Sequence, residues 1–347
     1  MKYSIIVPVY NRPDEVDELL ESLSNQTYKD FEVIIVEDGS VKPCKDVCDK
    51  YADILALHYY AKENSGPGQS RNYGAERANG EWLIILDSDV VLPEGYLAAV
   101  DSSIRHQTSD IAAFGGPDAA HPSFTPVQKA ISYSMTSFFT TGGIRGGKAK
   151  LDKFYPRSFN MGIRRDVYLQ LGGFSKMRFG EDIDFSYRIV EAGHQTRLFP
   201  EAWVWHKRRT DFRKFFRQVY NSGIARINLT KRHPGTLKLV HLLPTVFTLG
   251  VIGLILISAV GRALMHYVDR DQFYWMCFAP WIPILFYSLI IFIDSSIRNR
   301  SLWVGLLSIP AAFVQLMGYG IGFIESWWKR CVLKQDEFQA FERTFYK

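Results

Sequence analysis

Short apolar runs alternate with helical stripes over the first part of the chain. Residues 3–9 (Tyr-Ser-Ile-Ile-Val-Pro-Val), 31–36, about 54–60 and 82–86 (Trp-Leu-Ile-Ile-Leu) read as strands. A run that is apolar at every position suits a strand covered on both faces. Between these runs, Val16, Leu19, Leu20 and Leu23 form one helical stripe behind Pro13, Asp14 and Glu15. Proline and negative charge both favour a first helical turn. A weaker helix is expected at 43–52. Another, at 70–78, has Arg71 in its first turn and is closed by Asn79-Gly80, while Gly66, Pro67 and Gly68 mark 63–69 as a loop. The alternation predicts an α/β domain with a mixed, mostly parallel sheet and helices on both faces.

Further on, 93–106 reads as a helix and 111–116 as a strand. Residues 124–139 place Val127, Ile131, Met135 and Phe138 at helical spacing, for a helix that is packed, covers a substrate site or touches a membrane. Residues 140–150, with four glycines and Lys148 and Lys150, lack P-loop spacing and read as a loop that substrate could order. Phe159-Asn160-Met161-Gly162-Ile163 leads into a helix from Arg165, ended by Leu171-Gly172-Gly173-Phe174. Another helix starts at Glu181 and Asp182, with Ile183, Tyr187 and Val190 facing inward, and 204–206 ends a strand. A basic helix at about 207–230 then interleaves Lys207, Arg208, Arg209, Arg213, Lys214 and Arg217 with Phe212, Phe215, Phe216 and Val219, which suits an anionic membrane surface. Nucleic acid is the competing partner for such a patch, and the long apolar segments C-terminal to it argue for the membrane.

Segments 239–260, 273–293 and 302–324 are apolar and each about long enough to cross a bilayer, with Trp275, Trp281, Trp303, Trp327 and Trp328 near their ends. The expected organisation is a catalytic domain at 1–237, a transmembrane helical region at 238–325 and a basic tail at 326–347. Pro310, Gln315, Gly305, Gly318, Gly320 and Gly322 give the third segment the look of a re-entrant or tilted element. Three crossings from a cytosolic domain would also put Lys329, Arg330 and Lys334 outside, against the positive-inside tendency. Burial within a large soluble domain is the other reading of such runs, and three in near succession speak against it. Net charge is +5 over 347 residues, and four cysteines form no disulfide framework. Cys44 and Cys48 lack a second ligand pair nearby, so reduced thiols facing a cytosol are expected. No secretory leader is expected ahead of the strand at residue 3.

The chemistry gathers at strand ends. Residues 82–86 stop at Asp87-Ser88-Asp89, 31–36 at Glu37-Asp38-Gly39-Ser40, and 3–9 at Tyr10-Asn11. Two carboxylates one residue apart at the mouth of a buried strand need a cation between them, or else serve as a turn or helix cap. In open α/β sheets ligands bind beyond the carboxyl ends of strands, and Mg²⁺ is bound through one or two carboxylates plus substrate phosphates. Convergence of three such ends on one edge favours a metal-assisted nucleotide site. Glu181 and Asp182 are either helix-stabilising acids or a general base over that site.

Five stretches in this order, Ser4–Asn11, Val36-Glu-Asp-Gly-Ser40, Gly68-Gln-Ser-Arg-Asn72, Leu86-Asp-Ser-Asp89 and Gly180-Glu-Asp182, resemble the inverting family 2 glycosyltransferases of GT-A (Rossmann-like) fold, over about residues 3–210. The resemblance implies that Pro8 and Tyr10 line a nucleotide pocket, that Asp38 bonds the base, and that Arg71 lies near the ribose or diphosphate. It makes Asp87 and Asp89 the Asp-x-Asp pair for Mg²⁺ or Mn²⁺, with Asp89 the direct ligand, and it places Glu181 beside the donor and Asp182 as the base. His206 falls where some relatives place a further metal- or diphosphate-contacting histidine; a packed strand-end histidine is the alternative. Gln218-Val-Tyr-Asn-Ser222 lacks the Arg and Trp of the Gln-x-x-Arg-Trp motif of membrane polysaccharide synthases, which favours addition of a single sugar. The expectation is transfer from a nucleotide-diphosphate sugar, UDP-linked, to a hydroxyl of a lipid-linked or membrane-proximal glycan, at the cytoplasmic face of a bacterial-type inner membrane. Membrane lipid would be a partner and nucleic acid would not. A nucleotidyltransferase or other nucleotide-sugar enzyme, and a non-catalytic membrane scaffold, are the rival classes.

Overall fold

The computed structural model describes residues 1–106, 110–121, 123–142, 154–177, 179–207, 210–263, 275 and 277–337. They belong to two compact units, Met1–Pro122 with Lys148–Lys207, and Ser123–Gly147 with Arg208–Lys347.

The strands of the first unit are β1 (Tyr3–Val9), β2 (Phe31–Asp38), β3 (Leu57–Lys62), β4 (Trp82–Leu86), β5 (Val90–Val91), β6 (Ile111–Gly115), β7 (Asp118–Ala119), β8 (Asn160–Arg164), β9 (Gln195–Leu198) and β10 (Val204–His206). Seven form one sheet in the order β3-β2-β1-β4-β8-β6-β9, and β5-β10-β7 form a small second sheet. In the large sheet β8 runs antiparallel to β4 and β6, and the other pairs are parallel. Every residue of β2 and β4 is buried. Successive strand side chains point to opposite faces. Ile5, Val7, Val33 and Ile35 therefore join one core with Leu19, Leu20 and Leu23 of helix Pro13–Ser24. Ile6, Ile34 and Val36 join the other, with Ala75 of helix Pro67–Glu76 and Phe185 and Ile189 of helix Glu181–Glu191.

Three features of this unit differ from the sequence expectation. The helix expected at 70 starts at Pro67, because proline's fixed φ and missing N–H suit the first helical position; Arg71 consequently sits in the second turn. The stretch 159–163, expected only to lead into a helix, is mostly β8, a five-residue strand inside the sheet. Gly162 weakens its strand signature but is required there, since a Cβ would lie 2.0 Å from the Phe114 ring. Strand β9, short and polar, gave no signal.

In the second unit the single helix expected at 124–139 is two, Pro126–Thr136 and Phe138–Thr141, parted at the extended Ser137. Most of the Gly- and Lys-rich 140–150 lies outside the described residues, as do Arg208 and Arg209. The basic helix is Phe212–Arg232. Its apolar side is not left free for a membrane: Phe215 and Val219 are buried with Ile131 and Met135. Among the described residues three helices are long and apolar enough to cross a membrane, Leu239–Ala263, Ala279–Asn299 and Leu302–Val332. The third is not interrupted by its glycines or by Pro310, since Leu302–Trp327 is one continuous α-helix. The glycines are contact points instead. A Cβ would lie 2.1 Å from the Tyr220 carbonyl at Gly322, 2.2 Å from Thr248 Oγ1 at Gly320 and 2.6 Å from Val219 Cγ2 at Gly318. Small residues let helix backbones approach this closely.

Candidate active site

β1 pairs with both β2 and β4 in parallel, so their carboxyl ends share one edge. After β1, Asn11 adopts a left-handed φ of 55°, which asparagine tolerates. Its N–H donates to Ser40 Oγ at 2.7 Å, and its Oδ1 accepts from the N–H groups of Val41 and Lys42 at 2.8 and 2.9 Å. These bonds tie the loops after β1 and β2 together, beside the half-buried Pro8 and Tyr10. The Asp38 carboxylate accepts from the N–H groups of Ser65 and Gly66, both at 2.9 Å, and from Lys62 Nζ. Gly66, at φ 91°, makes the turn into helix Pro67–Glu76. Asp38 thus fixes the start of the helix that carries Arg71.

Arg71 is buried and donates to Asp87 Oδ1 at 2.7 Å and to Glu181 Oε1 at 2.9 Å. Arg12 donates to Asp89 Oδ2 at 2.6 Å. The two carboxylates of the Asp-Ser-Asp turn therefore each have a cation from the chain itself. The other oxygen of Asp89 lies 3.3 Å from His206 Nε2. The antiparallel ladder of β5 and β10 pairs Val90 with His206, and the Lys207 N–H donates to the Asp89 carbonyl at 3.0 Å. Phe159 stacks on the imidazole at 5.0 Å, and Asp118 Oδ2 lies 3.9 Å from Nδ1. His206 is in this way oriented by a ring on one side and a carboxylate on another.

Gly180, at φ 83°, is the N-cap of helix Glu181–Glu191, with Glu181, Asp182 and Asp184 in the first turn. Three acids at a helix N-terminus are favoured by its dipole, yet their mutual repulsion divides them. Burial and the neighbouring Asp182 charge push Glu181 up to about 7, against the pull of Arg71. Burial also pushes Asp182 up, but Arg157, whose Nε donates to its Oδ2 at 2.6 Å, outweighs this and holds the carboxyl below its usual range. Paired acids driven apart in this manner are suited to distinct roles in proton transfer.

One atom each from Asp87, Asp89 and His206 lies within 4.8 Å of the others. Two hard carboxylate oxygens and an imidazole nitrogen fit a divalent ion. The structure brings Asp87, Asp89 and His206 together as one group and Arg71, Asp87 and Glu181 as a second sharing Asp87, with Asp182 beside Glu181 in the first turn of the same helix. Pro8, Tyr10 and Asp38 lie along the same edge, and Asp38 is spent on the loop. Arg12 and Arg157 were not anticipated. Arg12 stands in the same strand-end loop as Tyr10 and Asn11, a signal that was available. Arg157 follows a stretch without regular pattern and carried none.

Residues 4–172 match the family model described as Glycosyl transferase family 2. That stretch holds Asp38, Arg71, Asp87 and Asp89 but ends before Glu181, Asp182 and His206. The chain is 27% identical over 252 residues to the pre-mycofactocin glycosyltransferase of Mycobacterium tuberculosis, covering 67% of this chain and 48% of that protein. It is 31% identical over 195 residues to an uncharacterized glycosyltransferase of Haemophilus influenzae, covering 54% of this chain and 62% of that protein. The chain thus spans less than two thirds of the length of either relative. Among solved structures, a mannosyltransferase from Pyrobaculum calidifontis in complex with GDP-Man and Mn²⁺ aligns over 95% of this chain and 88% of that one, with a TM-score of 0.57 at 15% identity. At that identity the likeness is one of fold, the GT-A arrangement with apolar helices after it.

Proposed function

Because this chain belongs to family 2 of the glycosyltransferases, we propose that it moves one sugar from a nucleoside-diphosphate sugar to an acceptor hydroxyl, with inversion, using Asp182 as general base. The observation that carries the reading is the shared Asp87. Its carboxylate belongs both to the Asp87–Asp89–His206 set and to the Arg71–Glu181 chain that adjoins Asp182. A site for diphosphate charge and a base are thus contiguous.

Asp89, Asp87 and His206 would hold the divalent ion. When bound, that ion offsets charge on the diphosphate as it leaves. Because the set includes a nitrogen, we expect Mn²⁺ to serve at least as well as Mg²⁺. Arg71 is placed for the diphosphate or ribose, alongside Glu181, and Pro8 and Tyr10 flank the nucleotide. Asp38 would meet the base by exchanging its contact with Lys62. Asp182 takes the acceptor proton as the hydroxyl attacks the anomeric carbon. Its depressed pKa keeps it ionised and ready at neutral pH, though as a weaker base than an unpaired carboxylate. The relatives' names and the metal-bound mannosyltransferase support a nucleotide-sugar donor. The UDP nucleotide comes from the family resemblance. The apolar helices support a membrane-proximal acceptor; that it is a lipid-linked glycan at the cytoplasmic face of a bacterial inner membrane is our extension of the sequence reading.

The test is nucleoside-diphosphate release by the detergent-solubilised protein across a panel of sugar nucleotides with Mn²⁺, Mg²⁺ or EDTA, with and without membrane lipid extract. Metal-dependent release from one donor, abolished in Asp182→Asn when acceptor is present, is expected. Release of pyrophosphate instead would overturn the reading in favour of nucleotidyl transfer.

A further inference from the structure

The three long apolar helices are not equivalent. In the most apolar window of Leu239–Ala263 and of Ala279–Asn299, 11% of the residues are buried, against 44% in Leu302–Val332. One of the helices that cover the third carries a row of cations on its outer side. Helix Phe212–Arg232 runs beside it in the same direction: Phe212 packs with Leu307 and Ala311, Gly318 meets Val219 and Phe216, and Gly322 meets Tyr220. Ser326 Oγ then donates to the Ile224 carbonyl at 3.3 Å, and Lys231 Nζ to the Arg330 carbonyl at 2.6 Å. The middle of the third helix, near residue 315, is therefore level with residues 212–219 of its neighbour. That stretch carries Arg213 and Lys214, both exposed, and Arg217. Tyr220 also bonds Glu325, which pairs with Lys329 at 2.6 Å.

We propose that Leu302–Trp327 does not cross the bilayer: with Phe212–Arg232 it forms a helix pair that lies along one membrane face. Three cations level with the hydrocarbon centre would each oppose insertion even on the mildest insertion scales. At the interface their ammonium and guanidinium groups meet water and anionic lipid headgroups. The third helix keeps exposed apolar residues at both ends, Leu302, Trp303 and Leu306 at one and Ile321, Trp327 and Trp328 at the other, for the acyl boundary. The same arrangement removes the conflict over Lys329, Arg330 and Lys334, which stay on the side of Arg213 and Lys214. The inference rests on the membrane reading of the apolar helices and not on sugar transfer.

Cys331, at the end of this helix, is exposed, and the other three cysteines are buried. Lys214 is exposed and level with the middle of that helix. Full-length wild type and a Lys214→Cys variant carrying Cys331→Ala are reacted with a membrane-impermeant maleimide in right-side-out and inside-out vesicles. Both sites are expected to react in the same one of the two preparations. Reaction of the two sites in opposite preparations would mean that the pair crosses and would overturn the proposal. So would reaction of either site only after detergent, which places it in hydrocarbon. Retention of the protein in carbonate-washed membranes checks the membrane reading separately; its loss from them sinks both.

Discussion

Replacing Arg157 by Gln should bring the titration of Asp182, the proposed base, into view. Arg157 Nε lies 2.6 Å from Asp182 Oδ2, and the carboxylate side chain is 9% exposed while the arginine is 36% exposed. Opposite charges with centres about 4 Å apart attract by roughly 4 kcal/mol at an effective dielectric of about 20. The arginine's exposure screens this to about half, about 2 kcal/mol. In the wild type Arg157 holds Asp182 below the usual carboxylate range, so no loss of rate from this group is expected on lowering pH to 5. In Arg157→Gln that pull is gone and burial raises the carboxyl, so the ratio of variant to wild-type kcat/KM should fall as pH is lowered from 7 to 5. The assay is nucleoside-diphosphate release from saturating donor with limiting acceptor, at constant ionic strength. A ratio that stays flat from pH 5 to 8 would refute the reasoning, since Arg157 would then not govern a base. A uniform loss at every pH with intact donor binding would instead give Arg157 a direct role in holding substrate.

Asp89→Asn should weaken Mn²⁺ binding by at least tenfold, read by calorimetry; unchanged affinity removes Asp89 from the cation site. Glu181, raised to about 7, holds more protons folded than unfolded between about pH 4.5 and 7, so its contribution to stability declines as pH rises through that window. The melting temperature of wild type minus that of Glu181→Gln should therefore decrease from pH 5 to 7.5, and a difference independent of pH would refute the assignment. Gly322→Ala sets a Cβ 2.1 Å from the Tyr220 carbonyl, whereas a Cβ at Gly250 meets nothing within 4 Å. In detergent the first should lose about 1–3 kcal/mol of stability, and the second should lose none and gain up to about 1 kcal/mol; equal effects would mean that the two helices are not in contact.

The legible part of the fold is the part whose signal is local. The runs at Ile5–Val7, Val33–Val36 and Leu83–Leu86 are apolar on both faces, and two-sided burial leaves no alternative element for them. The acids at 38, 87 and 89 could be assigned to one edge because parallel strands place their carboxyl ends together. Strand β8 stayed hidden because its place is dictated by partners remote in sequence and its most constrained residue is a glycine. Arg12 and Arg157 stayed hidden for a related reason: an arginine that neutralises a buried acid leaves no periodic trace. The glycines of 302–324 were visible, but composition alone does not separate a broken helix from a closely packed one.

The position of β8 bears on the order in which this protein can be made. β4 and β6 have emerged from the ribosome well before residues 160–164, yet neither has its inner neighbour until that strand arrives. Until then the nascent chain carries open edges on β4, the wholly buried run Trp82–Leu86, and on both sides of β6, whose other neighbour β9 is made later still, and such edges invite pairing with other chains. His206 is supplied later still, by β10. A ribosome must pass residue 206 before Asp87, Asp89 and His206 can come together, so the proposed cation site could form only after the sheet that frames it has closed.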